Sequence, residues 1–126
     1  MGEAPDAAML RGVRVVEVAD EQAEYTGLLL AGLGAEVIKV EPPGGNATRR
    51  IGPFHQDRPE PESSPLYFWH YNRTKRSIVL DLSVETDRAA FRRLSAGADV
   101  VLDSTARDFL PENGVSLDSL REASLG

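Results

Sequence analysis

The chain contains no cysteine. A disulfide framework, a thiolate zinc site and a cysteine nucleophile are therefore all excluded. Histidine is nearly absent as well. His55 and His70 are the only two, and neither has a second ligand at metal-binding spacing, so no metal is expected. No apolar run approaches the roughly 20 residues of a membrane span. The opening residues, MGEAPDAAML, lack the basic and then apolar pattern of a secretory signal. Asp6 stands where a myristoylation pattern needs Ser or Thr. A cytoplasmic location without a membrane partner is the expectation. Positive charge is scarce: 14 Lys and Arg against 20 Asp and Glu leave a net charge of −6. That balance argues against nucleic acid and against anionic membrane surfaces as partners. No GxSxG elbow and no phosphate loop ending in Gly-Lys-Ser/Thr is present.

What remains is an ordinary globular composition. The 126 residues are 41% hydrophobic and 27% charged, enough for one modest domain. Residues 1–9 read as a disordered extension, and residues 10–126 as the domain. The most informative stretch is Leu28 to Glu41, LLLAGLGAEVIKVE. An apolar helix meets a Gly-Leu-Gly turn, a short β-branched strand follows, and Pro42-Pro43-Gly44-Gly45 stops it. Gly32-Leu33-Gly34 has the look of a dinucleotide fingerprint. It lies between helix and strand rather than between strand and helix, so it reads as a turn.

The pattern predicts strands at residues 13–18, 36–40, 77–82 and 99–103. Helices are predicted at residues 22–32, 67–71, 84–96 and 116–124. Tyr25, Leu28, Leu29 and Leu33 recur near helical spacing in the first helix. Ser83 is the expected N-cap of the third, with Glu85 in its first turn, Phe91 and Leu94 on its buried face and Gly97 at its end. Ser116 or Asp118 caps the last. This alternation predicts an α/β, Rossmann-like parallel sheet with flanking helices, apparently truncated after its last helix. In such sheets ligands bind at the carboxyl ends of the strands. The proline-rich loop over residues 42–64 is accordingly the first place to look for a site. Within it, Glu60 and Glu62 read as solvated.

Two clusters could carry chemistry. Arg73-Thr74-Lys75-Arg76 is a dense cationic run in an acidic chain. It reads either as a grip for the phosphates of a nucleotide-like ligand or as a solvated turn guarding a sheet edge. The aromatic run Tyr67-Phe68-Trp69-His70-Tyr71 has the same two-sidedness, with core packing expected for Phe68 and Trp69.

Taken in order, LRGVRV (10–15), LGAEVIKVEPPGG (33–45), NRTKRSI (72–78), LDL (80–82) and ADVV (98–101) resemble the class III coenzyme A transferases, the CaiB/BaiF family. That family includes formyl-CoA transferase, carnitine CoA-transferase and α-methylacyl-CoA racemase. The resemblance runs from Leu10 onward and covers the amino-terminal portion of the family only. It implies a Rossmann-like domain that takes coenzyme A or acyl-CoA, within an interlocked homodimer. It implies transfer of coenzyme A between carboxylic acids in the complete protein. A 2-methylacyl-CoA racemase of the same fold, or a non-catalytic binding or assembly module, are the alternatives.

The family's catalytic aspartate corresponds to none of Asp81, Asp99 or Asp103, so no catalytic residue is assigned. This chain by itself is expected to be inactive. The resemblance assigns coenzyme A contacts to Gln22 and Ala23, to Leu80, Asp81, Leu82 and Ser83, and to Ser104 and Thr105. Arg73, Lys75 and Arg76 join them as the proposed phosphate grip. Departures are also visible. Pro42 stands where some members carry a phosphate-binding arginine, Ser83 where a lysine is common, and Glu112 near another arginine position.

Overall fold

The computed structural model describes residues 8–57 and 65–124. Most of the extension expected at residues 1–9 lies outside these bounds, as do Glu60 and Glu62. Within the bounds the chain is already tied down by Leu10, whose N–H donates to the Leu33 carbonyl at 2.9 Å.

Four strands form one sheet: β1 (Arg14–Val18), β2 (Glu36–Glu41), β3 (Arg76–Val79) and β4 (Val100–Asp103). All neighbours run parallel, in the order β3-β2-β1-β4. This is the strand order of one half of a doubly wound sheet, and the order reverses between β1 and β4. The helices are α1 (Glu24–Gly32), α2 (Leu66–Asn72), α3 (Glu85–Ala96), α4 (Phe109–Glu112) and α5 (Leu117–Ser124). The fold class and the order of the main elements match the sequence reading. The short α4 and a 3-10 turn at Ala47–Arg50 were not anticipated.

The period-2 alternation of the strands separates two very different faces. Val16, Val18 and Val40 face α3, α4 and α5, where Phe91, Leu110, Val115 and Leu120 close a dry core. Val15 and Val37 face the other way, against Leu30 and Ala31 of α1. On that second face the same alternation also turns Glu17, Lys39 and Glu41 inward, and all three are buried.

Several local expectations change. Ser83 does not cap α3. Its hydroxyl donates to Asp81 Oδ1 at 2.6 Å, and Val84 takes the cap position without a side-chain bond. Ser116 does cap α5, its Oγ accepting from the Ser119 N–H at 3.0 Å. Leu28 alone of the predicted α1 stripe is buried, while Tyr25, Leu29 and Leu33 are exposed. The inner face of α1 belongs instead to Glu24, Gly27 and Leu28. Trp69 is exposed although Phe68 is buried. Successive residues of so short a helix point apart, and Phe68 lies under the Arg49 guanidinium, 3.8 Å from its carbon to the ring centre. Gly34 has φ +105°, which lets the chain turn from α1 straight into β2.

Candidate functional site

The carboxyl ends of the strands surround a cavity of about 380 Å3. Val18, Ala19 and Asp20 enter from the end of β1, and Val40 and Glu41 from β2. Pro42, Pro43, Asn46 and Ala47 of the following loop form one lip. Leu80 to Ser83 after β3 and Thr105 after β4 supply further wall, and Phe109 and Asn113 close it from α4. Among the described residues lining it there is no lysine or arginine. The floor is apolar and the rim is acidic. Such a space suits a neutral or apolar part of a ligand, with any anionic part held outside.

Three of the strand ends are closed in the same manner. Asp20, Asp81 and Asp103 each accept a bond from the backbone N–H two residues on, at Gln22, Ser83 and Thr105, over 2.8–3.0 Å. These are aspartate turns, in which the carboxylate stands in for a backbone acceptor. The Ser83 hydroxyl and N–H together hold the Asp81 carboxyl below its ordinary range. Across the strand reversal, Ser104 Oγ donates to Asp20 Oδ1 at 2.7 Å and accepts from the Asp20 N–H at 3.0 Å.

Of the residues expected to meet coenzyme A, Leu80, Asp81, Leu82, Ser83 and Thr105 therefore share one wall. Ser104 stands behind them on Asp20. Gln22 and Ala23 follow on the loop into α1, beyond the lining residues. Ala19, Asp20, Asn46, Ala47, Phe109 and Asn113 also line it and are not singled out by the sequence. The Pro-Pro-Gly-Gly signal pointed to the right loop for two of them, but not to the individual side chains.

The cationic run requires correction. Thr74 adopts a left-handed backbone, φ +67°, and the turn sends Lys75 inward. Its side chain is 1% exposed. Lys75 Nζ donates to Glu17 Oε1 at 2.7 Å, to the Glu24 carbonyl at 2.9 Å and to Asn72 Oδ1 at 3.0 Å. Burial pulls its pKa down, against the pull of Glu17. Arg76 lies at the amino end of β3, opposite Ile38, and pairs with Glu36 at 3.3 Å. Arg73, Lys75 and Arg76 thus form no common patch at the crevice. Cations bonded to residues in or beside the crevice include Arg49, paired with Glu41, Arg50, donating to the Gly44 carbonyl at 3.0 Å, and Arg88, donating to the Leu82 carbonyl at 3.1 Å.

Lys75 belongs to a buried ionic cluster beneath the crevice. Lys39 Nζ reaches Glu17 Oε2 at 3.0 Å and Glu24 Oε2 at 3.5 Å. Glu17 and Lys39 are register partners on adjacent strands, so the sheet itself sets the pair. Asn72 Nδ2 also donates to Glu24, whose Oε1 is buried without a hydrogen-bond partner. Two carboxylates and two ammonium groups balance, the condition under which buried charge is tolerated.

Beside this cluster, Glu41 accepts a two-pronged bond from Arg49 at 2.6 and 2.8 Å. It also accepts from the Asn46 N–H at 2.9 Å and from the Ser77 hydroxyl. Burial alone would raise the Glu41 pKa, but these donors outweigh it and hold it at about 2, against an ordinary 4.5. A depressed carboxyl contributes stability that is present above its unfolded value and lost as pH falls toward the folded one. Unfolding free energy should therefore decline between pH 4.5 and about 2. Glu41→Gln should flatten that part of the profile in denaturant melts, and an unchanged slope would remove Glu41 from the acid response.

The comparisons with known proteins agree with the fold. A succinate–glutarate CoA-transferase of Agrobacterium fabrum is 44% identical over 115 residues, 89% of this chain and 29% of that protein. The succinyl-CoA:(R)-benzylsuccinate CoA-transferase subunit BbsE of Thauera aromatica is 40% identical over 107 residues, 85% of this chain and 26% of that one. The chain thus spans little more than a quarter of the length of these curated relatives. Among solved structures, Rv3272 of Mycobacterium tuberculosis superposes with a TM-score of 0.84 at 36% identity, over 94% of this chain and 32% of its own. A CaiB/BaiF family protein from Brucella suis gives 0.81 at 38% identity, over 92% and 31%. The profile of CoA-transferase family III matches residues 10–124, and the chain belongs to that family.

Proposed function

We propose that this chain is the amino-terminal, coenzyme A-holding segment of an enzyme that moves coenzyme A between carboxylic acids. The observation that carries the reading is the crevice at the strand reversal. Leu80 to Ser83 after β3 and Thr105 after β4, which the family resemblance singles out, line it together with Ala19 and Asp20 after β1 and the loop after β2. Its apolar floor suits the pantetheine arm or the acyl group of a thioester. The phosphates then lie outward, toward Arg50 and Arg88 rather than toward Arg73, Lys75 and Arg76. Transfer needs a nucleophile that none of Asp81, Asp103 or Asp20 supplies, since each is committed to its own turn. The proposal accordingly assigns turnover to the enzyme of which this chain would be a segment.

Titration calorimetry with coenzyme A tests the reading. The parent should bind weakly, because the acidic rim opposes the phosphates. Ala47→Trp, which places a ring in the crevice mouth, should abolish binding. An Arg73→Ala/Arg76→Ala double variant should bind like the parent. Loss of binding in the double variant with retention in Ala47→Trp would move the site to the cationic turn. A homodimer is part of the proposal, supported by the exposed row Tyr25, Leu29 and Leu33 and by exposed Val100 on edge strand β4. Light scattering on the same samples should show more than monomer. A monomer at every concentration would remove that part.

A further inference from the structure

Asn46 is a crevice-wall side chain whose amide bonds in both directions. It is buried. Its Nδ2 donates to the Ala19 carbonyl at 2.7 Å. Its Oδ1 accepts from the Thr48 N–H and from the Thr48 hydroxyl, both at 3.1 Å. Its own N–H is held by Glu41. A single amide thereby ties the end of β2 and the 3-10 turn to the first residue after β1.

The Ala19 end of this tie is the consequential one. The same carbonyl takes a second bond from Lys39 Nζ at 3.0 Å, which uses both of its acceptor positions. A peptide unit is planar, so fixing that carbonyl also fixes the N–H of Asp20. That N–H is the one donating to Ser104 Oγ across the strand reversal. The Ala19–Asp20 peptide is therefore clamped from both edges, by Asn46 and Lys39 on one and by Ser104 on the other. Ala19 and Asp20 line the crevice, and the Asp20 carboxylate starts the turn that carries Gln22.

We propose that Asn46 is a positioning residue for the thioester carrier, holding the Ala19–Asp20 peptide in the orientation that shapes the crevice wall at the strand reversal. The inference rests on the reading of this crevice as the coenzyme A site. Asparagine is suited to the task because one amide supplies a donor for Ala19 and an acceptor for Thr48. Aspartate would keep the Thr48 bonds, lose the donor, and set an anionic oxygen against a carbonyl oxygen close to the Glu41 carboxylate.

Asn46→Asp and Asn46→Ala, prepared with 13C-carbonyl alanine, separate this role from general support of the fold. In both variants the Ala19 carbonyl resonance should move while those of Ala90 and Ala96 in α3 stay. Affinity for coenzyme A should fall about tenfold. Ser104→Ala leaves Asn46 intact and releases the other edge of the same peptide. It should lower affinity in the same direction, and it covers the case in which the Asn46 variants fold poorly. An unmoved Ala19 resonance, or a moved one with parent affinity, would overturn the assignment. A parent that gives no binding heat at all would overturn the crevice reading itself, which is a distinguishable result.

Discussion

Lys39→Met should cost the fold about 3–5 kcal/mol. The side chain is 1% exposed and lies between two buried carboxylates. Methionine keeps most of the volume, so a cavity is not the cause. What disappears is the ammonium group that Glu17 and Glu24 share. Lys75 remains, but it reaches the Glu17 carboxylate and only the backbone carbonyl of Glu24. One negative charge is left without a cation among side chains that are about 1% exposed or less. Domains of this size hold about 5–15 kcal/mol in total, so the variant should be marginal at 25 °C. Urea melts measure the loss. Adding Glu24→Gln, which removes the stranded charge, should recover a clear part of it, because residues in one network are not additive. A loss under about 1 kcal/mol for Lys39→Met would mean that the cluster is solvated and contributes little.

Gly27→Ala should destabilise as well, by about 3 kcal/mol, against the usual preference of helices for alanine. Gly27 sits inside α1 directly over the ionic cluster. A Cβ there would fall 1.8 Å from Glu17 Oε1 and 3.0 Å from Lys75 Nζ. Neither atom can retreat without breaking a bond that compensates a buried charge. Either α1 lifts from the sheet or the pair separates. In an exposed helix the same change would add about 1 kcal/mol of stability, so the two accounts differ in sign. A raised melting temperature for Gly27→Ala would show that α1 does not approach the sheet this closely.

The two variants mark where sequence reasoning stops. β1, β2 and β4 were legible to within a residue or so, because valine-rich runs bounded by Gly, Pro and Asp have few other uses. Helix α3 was legible from Phe91 and Gly97. The location of the crevice followed from the parallel sheet alone. The burial of Glu17, Lys39 and Lys75 was not legible. Charged residues on a strand read as solvent-facing until it is known that α1 and α2 cover that face. Lys75 is the clearest case. The run Arg73-Thr74-Lys75-Arg76 looks uniform, yet the left-handed Thr74 sends its middle cation inward while Arg73 and Arg76 stay exposed. The aspartate turns were half visible: Asp81-Leu82-Ser83 and Asp103-Ser104-Thr105 repeat one Asp-x-Ser/Thr pattern. Ser83 resembles a helix cap in sequence because both roles use a hydroxyl next to a helix start. Asn46 left no sequence signal, since its role depends on Ala19, remote in the chain.

The most direct test of the central claim is chemical-shift mapping of the 15N-labelled chain during titration with coenzyme A. Binding at the strand reversal predicts saturable shifts at Ala19, Asp20, Leu82, Ser83 and Thr105, with Arg73 and Arg76 unaffected. Shifts centred on Arg73 to Arg76, with the residues of the carboxyl-end crevice unmoved, would contradict the account.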